Sequence, residues 1–94
     1  MNKAFKITNG RGFHITFRNG YTLSVQWGPA NYADNYHARL GSDIRCGARG
    51  SDTAECAVIN PAGEFVELPG RADKIGSYMT AEQVATLMVE VALL

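Results

Sequence analysis

The chain has 94 residues, of which 46% are hydrophobic and 19% charged. This is an ordinary globular composition, and the length suits one domain, 1–94, because two halves would each be too small to bury a core. Nine basic and nine acidic side chains cancel, which argues against a sequence-blind binder of long nucleic acid. No apolar run approaches the ~20 residues of a membrane span. Met1–Gly12 is polar and Gly-rich, unlike a secretory signal, so a cytoplasmic protein is expected.

The charge is unevenly spread. Residues 1–54 carry seven basic and three acidic groups, and residues 55–94 carry two basic and six acidic. Such a split suits self-association or a small anion, and an uneven solvated surface accounts for it as well. Cys46 and Cys56 are expected to be free thiols in a reducing compartment, although one disulfide between them is possible on paper. His14, His37, Cys46 and Cys56 lack the close pairing of a zinc motif, so no metal and no cofactor is expected.

An opening strand over Ala4–Thr8 has Phe5 and Ile7 as its apolar face, and it leads on through Asn9-Gly10-Arg11-Gly12. Phe13, Ile15 and Phe17 then alternate with polar residues, as do Tyr21, Leu23, Val25 and Trp27. That alternation is the strand signal. Parity decides the turn between them. A two-residue Asn19-Gly20 loop would put the two apolar sets on opposite faces. A three-residue loop pairs Phe17 with Tyr21, Ile15 with Leu23 and Phe13 with Val25, so burial selects it. A type I turn follows, with Gly20 left-handed as the bulge residue.

Residues 28–54 form a Gly-, Asp- and Asn-rich segment, read as an irregular loop. A short strand over His37–Leu40 or Ile44–Cys46 would fit within it. A second hairpin, within 55–68, has Cys56–Ile59 and Glu64–Leu68 flanking Asn60-Pro61-Ala62-Gly63. Its register pairs Val58 with Val66 and Cys56 with Leu68.

The C-terminus, 80–94, reads as a helix. Thr80 and Gln83 form a capping box, and Met79 and Val84 a hydrophobic staple. Val84, Leu87, Met88, Val91 and Leu94 are spaced to face a sheet. Ala85, Val89, Ala92 and Leu93 make a second apolar strip, expected to be a homodimer or higher-oligomer interface. A second sheet face folding over that strip would satisfy it equally. The whole is an α+β chain: a small antiparallel sheet of two or more hairpins packed on a C-terminal helix.

The candidate ligand-binding residues are Arg11, Asn31, Tyr32, Asn35, Tyr36, Arg39, Arg45 and Arg71. Arginine forks suit phosphates, tyrosine rings suit a nucleobase, and Asn reads polar edges. A surface loop pinned by Asp–Arg pairs explains the loop residues as well, since Asp34, Asp43 and Asp52 balance Arg39, Arg45 and Arg49. No phosphate loop or nucleophile elbow is present, and neither His14 nor His37 has an orienting partner by sequence. His14 reads as a structural histidine on the polar side of its strand, and Trp27 as a core or rim anchor. A binder is expected rather than an enzyme.

The run ITNGRGFHITFRNGYTLSVQWGPANYADN, Ile7–Asn35, resembles small proteins of bacteriophages and prophages. Their pattern is Arg-Gly-Phe-His, a strand, Asn-Gly, a second strand ending Gln-Trp-Gly or Gln-Phe-Gly, and then Asn-Tyr. The best match is the first family of Thoeris anti-defence proteins, covering most of the chain in layout and about a third of it by motif. The resemblance implies a non-catalytic sponge. Family members sequester 1''-3' glycocyclic ADP-ribose, the signal of a TIR enzyme, without cleaving it, and assemble through their helices as dimers or hexamers. Some hold cyclic oligonucleotides at a separate site. Ala33 departs from the Cys that many members carry there, and the chain is short for the family. An alternative is a small phage inhibitor that binds a host defence protein directly, as an anti-CRISPR does. A structural or accessory phage domain is a third reading.

Overall fold

The computed structural model describes residues 3–8, 11–28, 33 and 50–94. Six strands and one helix follow in order: β1 (Phe5–Ile7), β2 (Gly12–Thr16), β3 (Thr22–Gln26), β4 (Thr53–Ile59), β5 (Phe65–Val66), β6 (Gly76–Thr80) and α1 (Ala81–Ala92). Every pairing is antiparallel, in the order β1-β2-β3-β4. β3 takes one edge of β4, and β5 and β6 share the other: β5 pairs at Val58–Ile59, and β6 at Thr53–Cys56. This is the expected α+β architecture, one sheet with a C-terminal helix against it.

Both hairpins adopt the registers set by burial. Phe13 lies opposite Val25 and Ile15 opposite Leu23. The Phe17 amide donates to the Tyr21 carbonyl, and the Gly20 amide closes the turn on the Phe17 carbonyl, each at 2.9 Å. Gly20 has φ 86°, the left-handed conformation that the bulge requires. Val58 pairs with Val66 in the second hairpin, whose turn closes from the Gly63 amide to the Asn60 carbonyl at 2.9 Å.

The expected Cys56–Leu68 pair does not form. The Arg71 amide donates to the Leu68 carbonyl at 2.9 Å around Pro69-Gly70, and Gly70 has φ 70°. Proline presets the first bend and glycine supplies the second, so the chain leaves the ladder. Gly76 of β6 takes the place opposite Cys56, and Leu68 is buried instead. Strand β6 was not expected from the sequence. β4 begins at Thr53, inside the segment read as loop 28–54. The strand positions suggested at His37–Leu40 and Ile44–Cys46 lie outside the described residues.

The α1 cap is the expected box. The Gln83 amide donates to Thr80 Oγ1 at 3.3 Å, and the Thr80 amide to Gln83 Oε1 at 2.8 Å. Val84, Leu87 and Val91 are buried on Leu23, Val58, Cys56 and Leu68, with Met79 in the same cluster and Met88 packed beside it. Leu94 was expected to face the sheet but is half exposed, because the helix stops at Ala92. Asn19 closes that end: its Nδ2 lies 2.9 Å from the Val91 carbonyl, 3.3 Å from that of Ala92 and 3.2 Å from that of Leu94. The first hairpin turn thus clasps the helix C-terminus.

Candidate functional site

Strand alternation gives the sheet two chemically different faces. Phe5, Ile15, Leu23, Val58 and Val66 form one row across the strands, on the face that carries α1. Lys6, His14, Ser24 and Ala57 form the adjacent row, on the other face. A cleft lies on each face.

The cleft on the face away from the helix measures about 380 Å³. Lys3 lines it from just before the first strand, Lys6 from within that strand, His14 and Thr16 from the second, and Thr22 and Ile59 from beyond. Phe5 stands at its edge. The Thr16 and Thr22 hydroxyls are bonded to each other at 2.8 Å. No acidic side chain is among these lining residues. Burial and then the neighbouring Lys6 ammonium push the His14 pKa below its ordinary value. The shift favours the neutral imidazole beside Lys6, and no acid is among the described residues that line the cleft. Such a cleft attracts an anion, which would offset the lysine charges and accept bonds from the hydroxyls.

The second cleft, about 300 Å³, opens between the sheet and the first half of α1. Phe13, Val25 and Trp27 line the sheet side, and Val84, Ala85 and Met88 the helix side. Phe13 and Trp27 meet edge to face, with ring centroids 6.4 Å apart and an interplanar angle of 74°. Ser51, Asp52 and Thr53 supply its polar groups. This slot suits an apolar ring and not a phosphate.

Of the residues singled out from the sequence, Arg11 and Arg71 are described. Arg11 pairs across from Trp27, whose amide donates to the Arg11 carbonyl at 2.7 Å. Its Nε is buried without a hydrogen-bond partner among the described residues. Arg71 is exposed on the connection between β5 and β6, where it lines a polar cleft with Tyr78 and Gln83. β3 and β4 separate the two arginines, and neither lines the basic cleft. Asn31, Tyr32, Asn35, Tyr36, Arg39 and Arg45 lie outside the described residues. Ala85, Val89, Ala92 and Leu93 are all exposed, Val89 at 60% and Leu93 at 80%.

Cys56 is a buried free thiol, and Cys46 and His37 lie outside the described residues. Cys56 sits on the helix-bearing face and His14 on the other, so the two cannot share a metal ion. Among the described residues no group of three or more His, Cys, Asp or Glu is placed to hold one. No helix among them is long and apolar enough to cross a membrane.

Sequence reasoning missed Lys3, Lys6 and His14 as a group. The signal lay in the pairing of the opening strand, which brings Lys6 opposite His14 once Phe5 and Ile15 are placed on one face. No family model matches the chain, and neither a curated protein nor a solved structure proves similar to it.

Proposed function

We propose that this chain is a non-catalytic sponge that binds and sequesters a cyclic nucleotide immune signal of the 1''-3' glycocyclic ADP-ribose class, as a phage-encoded counter to Thoeris defence in the bacterial cytoplasm. The observation that carries the reading is the basic cleft. Lys3 and Lys6 stand beside His14 and the Thr16–Thr22 hydroxyl pair, with no acid among the described lining residues. Two phosphates of one ligand are offset by the two ammonium groups, and a hydroxyl donates to a phosphate oxygen. Phe5, 71% exposed, stands at the cleft edge.

A sponge acts by mass action, so its affinity must be high. Nanomolar binding is about −12 kcal/mol. Charge-assisted contacts contribute roughly 1.5–3 kcal/mol each, so the basic cleft supplies part of this. We assign the remainder to Asn31, Tyr32, Asn35, Tyr36, Arg39 and Arg45. Homo-oligomer formation through Ala85, Val89, Ala92 and Leu93 belongs to the same proposal and is supported by their exposure.

Native mass spectrometry with a panel of cyclic ADP-ribose isomers and cyclic nucleotides tests this reading. One intact ligand mass per site, released unchanged on heating, is the expected result. A Lys3→Glu/Lys6→Glu double variant should bind at least tenfold more weakly while melting normally. Indifference to the whole panel would refute the sponge.

A second reading, direct inhibition of a host defence protein, is favoured by the outer edge of β1, which pairs with no other described strand. The Thr16 amide donates to the Ala4 carbonyl, and the Thr8 amide to the Gly12 carbonyl. The backbone groups of Phe5 and Ile7 therefore point away from β2. Both side chains are exposed, Ile7 at 81%. A specific host protein retained by the wild type and lost with Ile7→Asp would favour that reading.

A further inference from the structure

We propose that the slot between α1 and the sheet is a second ligand site, on the opposite face from the basic cleft, and that it takes a small aromatic ammonium ion. This inference stands apart from the proposed capture of a nucleotide. It rests on three properties of the slot.

Its walls are aromatic and thioether-rich. Phe13 and Trp27 present ring surface from β2 and the end of β3, Met79 lines the slot from β6, and Met88 from the helix. Aromatic rings and methionine sulfur favour a flat ring over a branched aliphatic group. The size agrees. A cavity of about 300 Å³ lies at the small end of ligand pockets, which suits one ring on a short arm.

The charge is one-sided. Among the described residues lining the slot, Asp52 is the only charged one, with Ser51 and Thr53 on either side of it in the chain, and none is lysine or arginine. A ligand carboxylate or phosphate would bring like charge to Asp52. An ammonium group there meets an opposite charge instead.

The geometry separates the two recognition elements. The rings lie on the sheet side, while the carboxylate belongs to the segment just before β4. A ligand with its ring at one end and its ammonium at the other matches this arrangement. A nucleotide does not, because its phosphates would face Asp52.

Trp27 is the only tryptophan in the chain, so its fluorescence reads the slot directly. Phenethylamine, 2-phenylethanol and phenylacetate share one ring and arm and differ in the charge at the end. Titration with each should give saturable changes, with the amine tightest by about tenfold over the alcohol and the acid weakest. Asp52→Asn, at an exposed position, should bring the amine down to the level of the alcohol and leave the alcohol unchanged. The proposal is overturned by any of three results. These are no saturable change with any probe, an acid that binds as tightly as the amine, or an amine preference that survives Asp52→Asn.

Discussion

Replacing Asn19 tests how the hairpin and the helix hold each other. No basic residue occupies the last turn of α1, so its final carbonyls depend on other donors. The Asn19 amide nitrogen reaches two of them, Val91 at 2.9 Å and Ala92 at 3.3 Å, and the Leu94 carbonyl just beyond the helix at 3.2 Å. Its two hydrogens satisfy at most two at once, and two of the three contacts are solvent-exposed. At roughly 0.5–1.5 kcal/mol per net bond, the clasp contributes about 1–2 kcal/mol. Asn19 Oδ1 separately accepts from the Tyr21 amide at 3.0 Å, which stabilises the turn itself. Asn19→Ala removes both roles, and a loss of about 2 kcal/mol lowers the Tm of a domain this size by roughly 8–16 °C. Asn19→Asp separates them. Aspartate keeps the acceptor for Tyr21, loses the donor to the helix, and adds a negative charge at the negative end of the helix dipole, worth a further ~0.3–1 kcal/mol. Urea unfolding followed by circular dichroism should therefore place Asn19→Asp at least as low as Asn19→Ala, with part of its deficit recovered in high salt. An Asn19→Asp protein within about 0.5 kcal/mol of wild type would mean that Asn19 serves only its own turn, and the clasp argument would fail.

Further tests concern a glycine, a thiol and a histidine of the sheet. Gly12→Ala should destabilise by about 2–3 kcal/mol in urea unfolding, because Gly12 has φ 155° and a Cβ there would run into the Val25 carbonyl oxygen; a change under ~0.5 kcal/mol would contradict this. Burial pushes the Cys56 thiol from 9.0 up to about 12, with Glu55 adding to the rise. The folded chain therefore keeps a proton that the unfolded chain loses, and stability should fall as pH rises from about 9 towards 12. Cys56→Ala should flatten that slope, and native Cys56 in a Cys46→Ser background should ignore a thiol reagent at pH 8. His14 has the opposite sense: its folded pKa lies below 6.5, so the unfolded chain binds the proton first and stability should drop as pH falls below that value. Inorganic pyrophosphate seated in the basic cleft should raise the His14 pKa, read from its ring proton shifts, and a fixed value across the titration would place the anion elsewhere.

The sheet was legible where alternation and turn chemistry agree. Parity alone placed Phe13 opposite Val25, because any other register exposes three aromatic or aliphatic side chains. The same reasoning placed Val58 opposite Val66. Strand β6 was illegible for a physical reason. Its sequence, Gly-Ser-Tyr-Met-Thr, carries one buried side chain, Met79, and its partner register shifts between Ala54 and Cys56. Tyr78, with φ 52°, bends the strand at that irregularity. Only the free edge of β4 makes this segment a strand, and an edge left over after two hairpins pair is a property of the assembled sheet. Thr80 hides the strand further, since the residue that caps the helix also ends β6.

The candidate site divides along the same line. Sequence reasoning looked for phosphate chemistry among arginines, because forked donors are recognisable one residue at a time. Lysines on an edge strand read instead as protection against pairing, and a histidine on a polar face reads as solvated. What turns Lys3, Lys6 and His14 into a group is the register of β1 on β2, which stacks Lys6 on His14 and leaves no acid between them. The register also fixes the consequence for ligands. The basic cleft and the Trp27 slot are on opposite faces of one sheet, so a phosphate in the first and a ring in the second belong to different molecules. Competition between pyrophosphate and phenethylamine is therefore not expected. Each should bind a chain already saturated with the other, because no lining residue is shared between the two clefts.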